Sequence, residues 1–232
     1  MEWPLSVEEL ERVQVDLAAA RQEPIPGGVE LVIGGCFVCF TRDRAGPGVA
    51  GEPGWAAAAA GREEVAVGGF ARAAYTPGYL ALREGPLLTD AVTELPVRLD
   101  VLLVNASGRD HPRRAGLALH LGAVLGVPTV GVTRRPLEAS GDEPSDRRGA
   151  TAPLQLEGEL VGYMLRTRQG ARALAVHSGW RTDAETAAEV TLSACGRART
   201  PEPLRRARRL ARLARAWCSA LPENGIPANV SP

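Results

Sequence analysis

The 232-residue chain contains no lysine: all 27 of its basic residues are arginine, set against 27 acidic residues for a net charge of zero. That balance excludes a protein that coats nucleic acid over its whole surface, and it leaves room for a local basic groove. No stretch of 18 uncharged apolar residues occurs, which excludes a membrane-spanning helix. The acidic, amphipathic start MEWPLSVEELERVQ does not read as a secretory signal, so the expected compartment is the cytoplasm. The chain is 45% hydrophobic, enough to build a core and to exclude disorder over most of its length. A single domain over residues 1–221 is expected, followed by a disordered tail at 222–232.

Cysteine is also scarce. Cys36 and Cys39 form a C-x-x-C, but they lie inside the apolar run LVIGGCFVCF (31–40), which reads as a strand. Positions i and i+3 of a strand face opposite sides, so the two thiols cannot meet or share a metal. No second CxxC or CxxH completes a zinc site, and Cys195 and Cys218 stand far off in sequence. Buried, reduced structural cysteines are expected.

The remaining pattern alternates helices and strands. Residues 6–22 read as an amphipathic helix with Ser6 as N-cap and Glu9 as its capping-box partner, ended by Pro24 and Pro26. A strand follows at 29–40, then a Gly- and Pro-rich loop at 42–54. Segments 55–60 and 63–72 suit a hairpin around Gly61-Arg62, although Ala56–Ala60 is ambiguous between helix and strand. Residues 79–95 carry helical spacing, 100–104 and 129–132 read as buried strands, and 115–125 as the helix between them. This is a parallel βαβ unit. Strands are expected at 153–156, 159–166 and 173–177. Two helices are expected at 182–194, with Asp183 in the first turn, and at 203–221, with a stripe of Leu204, Ala207, Leu210, Ala214, Trp217 and Leu221. The whole is an α/β domain on a mixed sheet: N-terminal antiparallel strands, then the parallel unit, flanked by helices.

Open α/β sheets place ligands beyond the carboxyl ends of their strands. Two stretches qualify there, Asn105–Arg114 and Tyr75–Pro86. Together with LVGYMLRTRQGARALAVHSGWRTDAETA (160–187) and RTPEPLRRARRLAR (199–212), the segments YTPGYLALREGP (75–86) and DVLLVNASGRDHPRRAGLALHLGAVLGVPTVGV (100–132) resemble the endonuclease V family in order and spacing. The resemblance implies a ribonuclease-H-like fold. It also implies an enzyme that uses Mg²⁺ or Mn²⁺ to nick DNA or RNA near deaminated bases, chiefly hypoxanthine (inosine).

The resemblance further implies three acidic metal ligands. Glu84 of the L-R-E-G segment matches one. The Asp of the first strand is replaced by Phe37, and the Asp that ends the second by Asn105. The lysine of a V-A-K segment becomes Arg134 in Val132-Thr133-Arg134, and the His of G-H-R becomes Trp180; His111 and Arg113 are retained. Mg²⁺ and Mn²⁺ are hard cations that want charged oxygens. Phe37 offers none and Asn105 offers one neutral carbonyl, so metal binding is expected to be weak or absent and cleavage lost or strongly reduced. Asp43, Asp110 and Asp183 each read first as carboxylates facing water. Asp110, on the same loop as Asn105, is kept as a substitute ligand.

Tyr75-Thr76-Pro77-Gly78 resembles the family's wedge, with Tyr75, Pro77 and Gly78 expected to contact bases. Arg109, Arg113, Arg114, Arg134 and Arg135 are candidates for phosphate contacts, because guanidinium forks suit phosphates. His111 is read equally as a group that orients phosphate or water and as a structural ring. Catalytic roles, where any survive, fall to Glu84, His111 and Arg134. His120 reads as packing, and His177 has no assigned role. Arg205, Arg206, Arg208, Arg209, Arg212 and Arg215 read as the solvated face of the last helix. Three functions follow: a nucleic-acid-binding protein that does not cut, a weakened or retargeted nuclease completed by Asp110 or Asn105, and a protein-interaction module.

Overall fold

The computed structural model describes residues 1–20, 22–25, 31–41 and 46–220. The expected tail at 222–232, Leu221 and Asp43 lie outside the described residues. Among the described residues the strands are β1 (Ile33–Phe40), β2 (Pro53–Ala60), β3 (Glu63–Phe70), β4 (Val101–Val104), β5 (Thr129–Thr133), β6 (Thr151–Leu156), β7 (Glu159–Leu165) and β8 (Leu174–Ser178). The helices are α1 (Val7–Ala19), α2 (Leu80–Thr93), α3 (Leu117–Leu125), α4 (Ala184–Ser193) and α5 (Glu202–Ala220).

All eight strands join one sheet in the order β3-β2-β1-β4-β5-β8-β7-β6. β1, β2 and β3 are antiparallel, β1–β4 and β4–β5 are parallel, and β5, β8, β7 and β6 continue antiparallel. The mixed sheet is the expected one. Its three parallel strands bring Phe37, Asn105 and Thr133 to one edge.

Strand alternation decides which helix layer each side chain meets. Cys36 packs with Leu82, Leu88 and Leu117 from α2 and α3. Cys39 packs with Ala207 and Ala211 of α5, and its thiol donates to the Ala211 carbonyl oxygen. The C-x-x-C therefore straddles the sheet, and all four cysteines are free. Leu204 of α5 and Val190 of α4 cover Val101, Leu103, Val130 and Val176 on the second face.

Ala56–Ala60 resolves as strand β2, and none of the five alanines has exposed surface. The segment is paired on both edges and covered by helices on both faces, so small side chains that would be neutral in a helix are here the ones that fit. Gly35 of β1 serves the same end: a Cβ there would fall 2.6 Å from the Leu204 backbone nitrogen. The start of α5 thus rests directly on the β1 backbone.

Several boundaries differ from expectation. Ser6 caps α1 as anticipated, accepting from the Glu9 N–H at 3.2 Å. The helix stops at Ala19, not residue 22, because Arg109 takes up its last carbonyls. Asp183 stands outside the first turn of α4 as its N-cap, accepting from Thr186 N at 2.7 Å. On α5, Ala211 replaces Trp217 on the buried stripe, and Trp217 is 65% exposed. Pro86 lies inside α2 and removes one hydrogen bond to the Leu82 carbonyl.

Candidate functional site

Two cavities adjoin at the carboxyl edge of β1, β4 and β5. The larger, about 270 Å³, is bounded by Tyr75, Pro77, Gly78, Asn105, His111 and Arg135 among others. The smaller, about 180 Å³, is bounded by Cys36, Phe37, Glu84 and Asn105 with Leu80, Leu88 and Leu117. Tyr75, Leu80, Asn105 and Leu117 belong to both walls.

The Tyr75–Gly78 turn is held from below. Gly78 adopts φ +82°, a left-handed backbone that favours glycine, and Tyr79 N closes the turn onto the Thr76 carbonyl. The Gly78 carbonyl accepts from Arg113 Nη2 at 2.9 Å and from His111 Nε2 at 3.2 Å. His111 Nδ1 accepts the Arg113 backbone N–H, so the proton of the neutral ring sits on Nε2. Burial and the nearby Arg113 charge push the His111 pKa down to about 4. Tyr75 is left 48% exposed above this support. His111 therefore acts here as a neutral brace for the Tyr75–Gly78 turn.

The arginines sort differently from expectation. Arg113 also donates to Gln14 Oε1 at 2.6 Å and stacks over Tyr79, and Gln14 in turn donates to the Ala115 carbonyl. Arg109 donates to the carbonyls of Ala18 and Ala20 and so caps α1. Arg114, at φ +56°, binds the Leu156 carbonyl and pairs with Glu157 and Glu159 in the β6–β7 turn. Arg109 and Arg114, both expected at substrate phosphates, join distant segments of the fold here. Arg134 and Arg135 are exposed at the end of β5.

Asp110 does not face water as its loop position suggested. It is fully buried, and its carboxylate accepts the backbone N–H groups of Leu137, Glu138 and Ala139 at 2.6 to 2.7 Å. Its Oδ2 lies 3.4 Å from Nδ1 of His177, whose Nε2 lies 2.8 Å from Thr133 Oγ1; that hydroxyl donates to the Arg135 carbonyl. Asp110 thus fixes residues 137–139, while His177 donates through Nε2 to Thr133 and its Nδ1 has no hydrogen-bond partner among the described residues. Sequence reasoning gave His177 no role. Trp180 packs beside Leu17 and Leu119, away from the cavities.

The carboxylate set does not assemble. Glu84 lies half-buried on α2, and burial pushes its pKa up to about 7 against the pull of Arg83. Arg83 itself forms a buried ion pair with Glu52 and donates to the carbonyls of Val49 and Ala73, stacking on Phe40. Among the described residues no group of three or more His, Cys, Asp or Glu side chains is placed to hold a metal. The donor set does not fit Mg²⁺ or Mn²⁺: one carboxyl, partly protonated at neutral pH, one phenyl ring and one amide whose oxygen is already occupied.

The occupant of that amide is Arg208. Its Nη2 donates to Asn105 Oδ1 at 2.8 Å, and its guanidinium carbon lies 5.0 Å from the centroid of Phe37. Arg212 lies 5.9 Å from the same ring. Desolvation together with the charges of Arg212 and Arg134 lowers the Arg208 pKa. Sequence reasoning placed Arg208 on a solvated face. The usable signal was its spacing: Leu204, Arg208 and Arg212 recur every four residues, so the arginines continue the line of a buried leucine along one side of the helix.

The profile of the endonuclease V family matches residues 30–209. The endonuclease V of Methanopyrus kandleri is 48% identical over 138 residues, which cover 60% of this chain and 59% of that protein. The chain thus spans less than two thirds of that relative. The endonuclease V of Streptomyces coelicolor is 36% identical over 217 residues, covering 91% of this chain and 92% of its own. The crystal structure of endonuclease V from Streptomyces avermitilis superposes with a TM-score of 0.82 at 34% identity, over 94% of this chain and 96% of that one. The ribonuclease-H-like sheet, the Tyr75–Gly78 turn braced by His111 and Arg113 and these likenesses agree, and the chain belongs to the endonuclease V family.

Proposed function

We propose that this protein binds nucleic acid at deaminated bases and has lost most or all phosphodiester cleavage. The observation that carries the proposal is the replacement of two acidic ligands by Phe37 and Asn105, with Arg208 hydrogen-bonded to Asn105. Metal-assisted hydrolysis needs a dication to lower the pKa of water and to stabilise the charged phosphate. A site that presents guanidiniums where carboxylates would stand repels that dication. Retained recognition is supported by Tyr75 on its braced Pro-Gly turn and by the cavity of about 270 Å³ beside it, large enough for part of an everted base.

The weakened-nuclease reading needs a substitute carboxylate, and the burial of Asp110 under three backbone N–H groups speaks against it. No described helix is long and apolar enough to cross a membrane. Four free thiols suit the reducing cytoplasm, the compartment we infer.

The test pairs binding with cleavage. Purified protein is incubated with inosine-containing DNA and RNA in Mg²⁺ or Mn²⁺, and binding is followed by fluorescence anisotropy. Binding without nicking is expected. Robust nicking that disappears in Glu84→Ala would overturn the proposal.

A further inference from the structure

We infer that the edge where β1, β4 and α5 converge is a metal-independent site for a phosphodiester phosphate, held directly by Arg208 and Arg212 with Arg134 alongside. The inference rests on the nucleic-acid-binding reading above and names the group that this edge of the site takes.

Four arginines of α5 fall into two sets. Arg206 and Arg209 are neutralised: both contact Glu64 at 2.9 Å, and Arg206 also lies 3.7 Å from Glu202. Arg208 and Arg212 point the other way, toward Phe37. Among the described residues no carboxylate pairs with Arg208, Arg212 or Arg134. Arg208 Nε is buried with no hydrogen-bond partner there. Glu84 does not supply the missing charge: the pull on its carboxyl comes from Arg83, and among the described residues it forms no ion pair with Arg208 or Arg212.

Like charges gathered without a counter-ion raise the energy of the folded state, and an anion among them removes that cost. Phe37 contributes geometry: a planar ring on which guanidiniums stack holds their forks in fixed orientation while leaving the N–H edges open. Asn105 accepts from Arg208 through Oδ1 and leaves its Nδ2–H₂ as a further donor without a partner among the described residues. Guanidinium forks and an amide donor match the two charged oxygens of a phosphodiester. The substitutions that destroy a dication site thereby make an anion site at the same edge, next to the wedge that would present the strand.

The test uses the full chain in excess EDTA. A fluorescein-labelled single-stranded oligonucleotide containing inosine is titrated by anisotropy, and stabilisation by inorganic pyrophosphate is read from thermal unfolding. Binding in EDTA, not strengthened by Mg²⁺, is expected. Arg208→Gln and Arg212→Gln should each weaken it about tenfold or more and reduce the salt slope by about one. Arg209→Gln, whose partner is Glu64, should bind like wild type. Arg212 is exposed and makes no hydrogen bond or ion pair among the described residues, its one ring contact being the distant one to Phe37, so its variant folds whatever becomes of Arg208→Gln. Wild-type affinity in both glutamine variants, or a strict need for Mg²⁺, overturns the phosphate site while leaving nucleic-acid binding intact. If wild type binds no oligonucleotide yet pyrophosphate stabilises it through Arg208 and Arg212, the functional reading fails and the phosphate site stands. Absence of both effects removes both.

Discussion

His111 and Gly78 lie 33 residues apart in the chain and meet at 3.2 Å, ring Nε2 to carbonyl oxygen. The contact joins the segment after β4 to the turn before α2, and Arg113 doubles it from the same loop. Two motifs that are separate in sequence are one mechanical unit: an exposed tyrosine on a turn, and a histidine and an arginine that keep the turn from folding back. Arg113→Ala is expected to weaken oligonucleotide binding about tenfold and to destabilise the fold by roughly 1–3 kcal/mol. His111→Ala should do the same more mildly. Anisotropy beside urea unfolding separates the two effects, and unchanged affinity in both variants would mean that the wedge needs no bracing.

All three histidines are buried, and burial lowers the pKa of each from 6.5 to about 4. In the unfolded chain they return to ordinary values, so between about pH 6.5 and 4 the unfolded state binds more protons. Stability is fully present above that window and is lost as pH falls through it, with a limit of roughly 3 kcal/mol for a histidine kept wholly neutral. Neither ring nitrogen of His120 has a hydrogen-bond partner among the described residues, and its ring lies 4.5 Å from that of Trp3. His120→Phe should therefore flatten the slope without emptying the core. Urea midpoints recorded across this range check the claim, and a midpoint that does not move with pH contradicts it.

Gly35→Ala tests the seat of α5. Its Cβ would lie 2.6 Å from Leu204 N and 2.7 Å from the Pro203 carbonyl carbon, both backbone atoms, so the helix start must move. A loss of about 2 kcal/mol is expected, with weaker oligonucleotide binding as Arg208 leaves Phe37. Gly34→Ala is the control, because its Cβ would meet the end of the Leu99 side chain, which can turn aside. Equal costs for the two variants would show that the close seat is not what matters.

Much of the architecture was legible because periodicity reports burial: β1, β4, β5 and the α2 and α3 helices all lie close to where their apolar spacing puts them. The broken carboxylate set was legible too, since Phe37 and Asn105 stand in a motif whose chemistry is known. What the sequence concealed was the destination of each arginine. Arg109, Arg113, Arg114 and Arg208 all look alike in a string of letters. The first caps a helix, the second braces a turn, the third ties down a hairpin and the fourth sits at the site. A guanidinium on a long stem reaches partners that only the tertiary fold brings near. Asp110 was misread for the same reason, because its three backbone partners lie 27 to 29 residues away.

The alanines of β2 have a mechanical consequence. Ala56, Ala58 and Ala60 meet the α2 layer, while Ala57 and Ala59 meet α5. Glu84 rides on the first helix and Arg208 on the second. Over Ala56–Ala60 only methyl groups cushion the strand on either side, and tightly packed interiors yield little under load. A shift of either helix therefore presses toward the other through the sheet, which couples Glu84 to Arg208 although no bond joins them among the described residues.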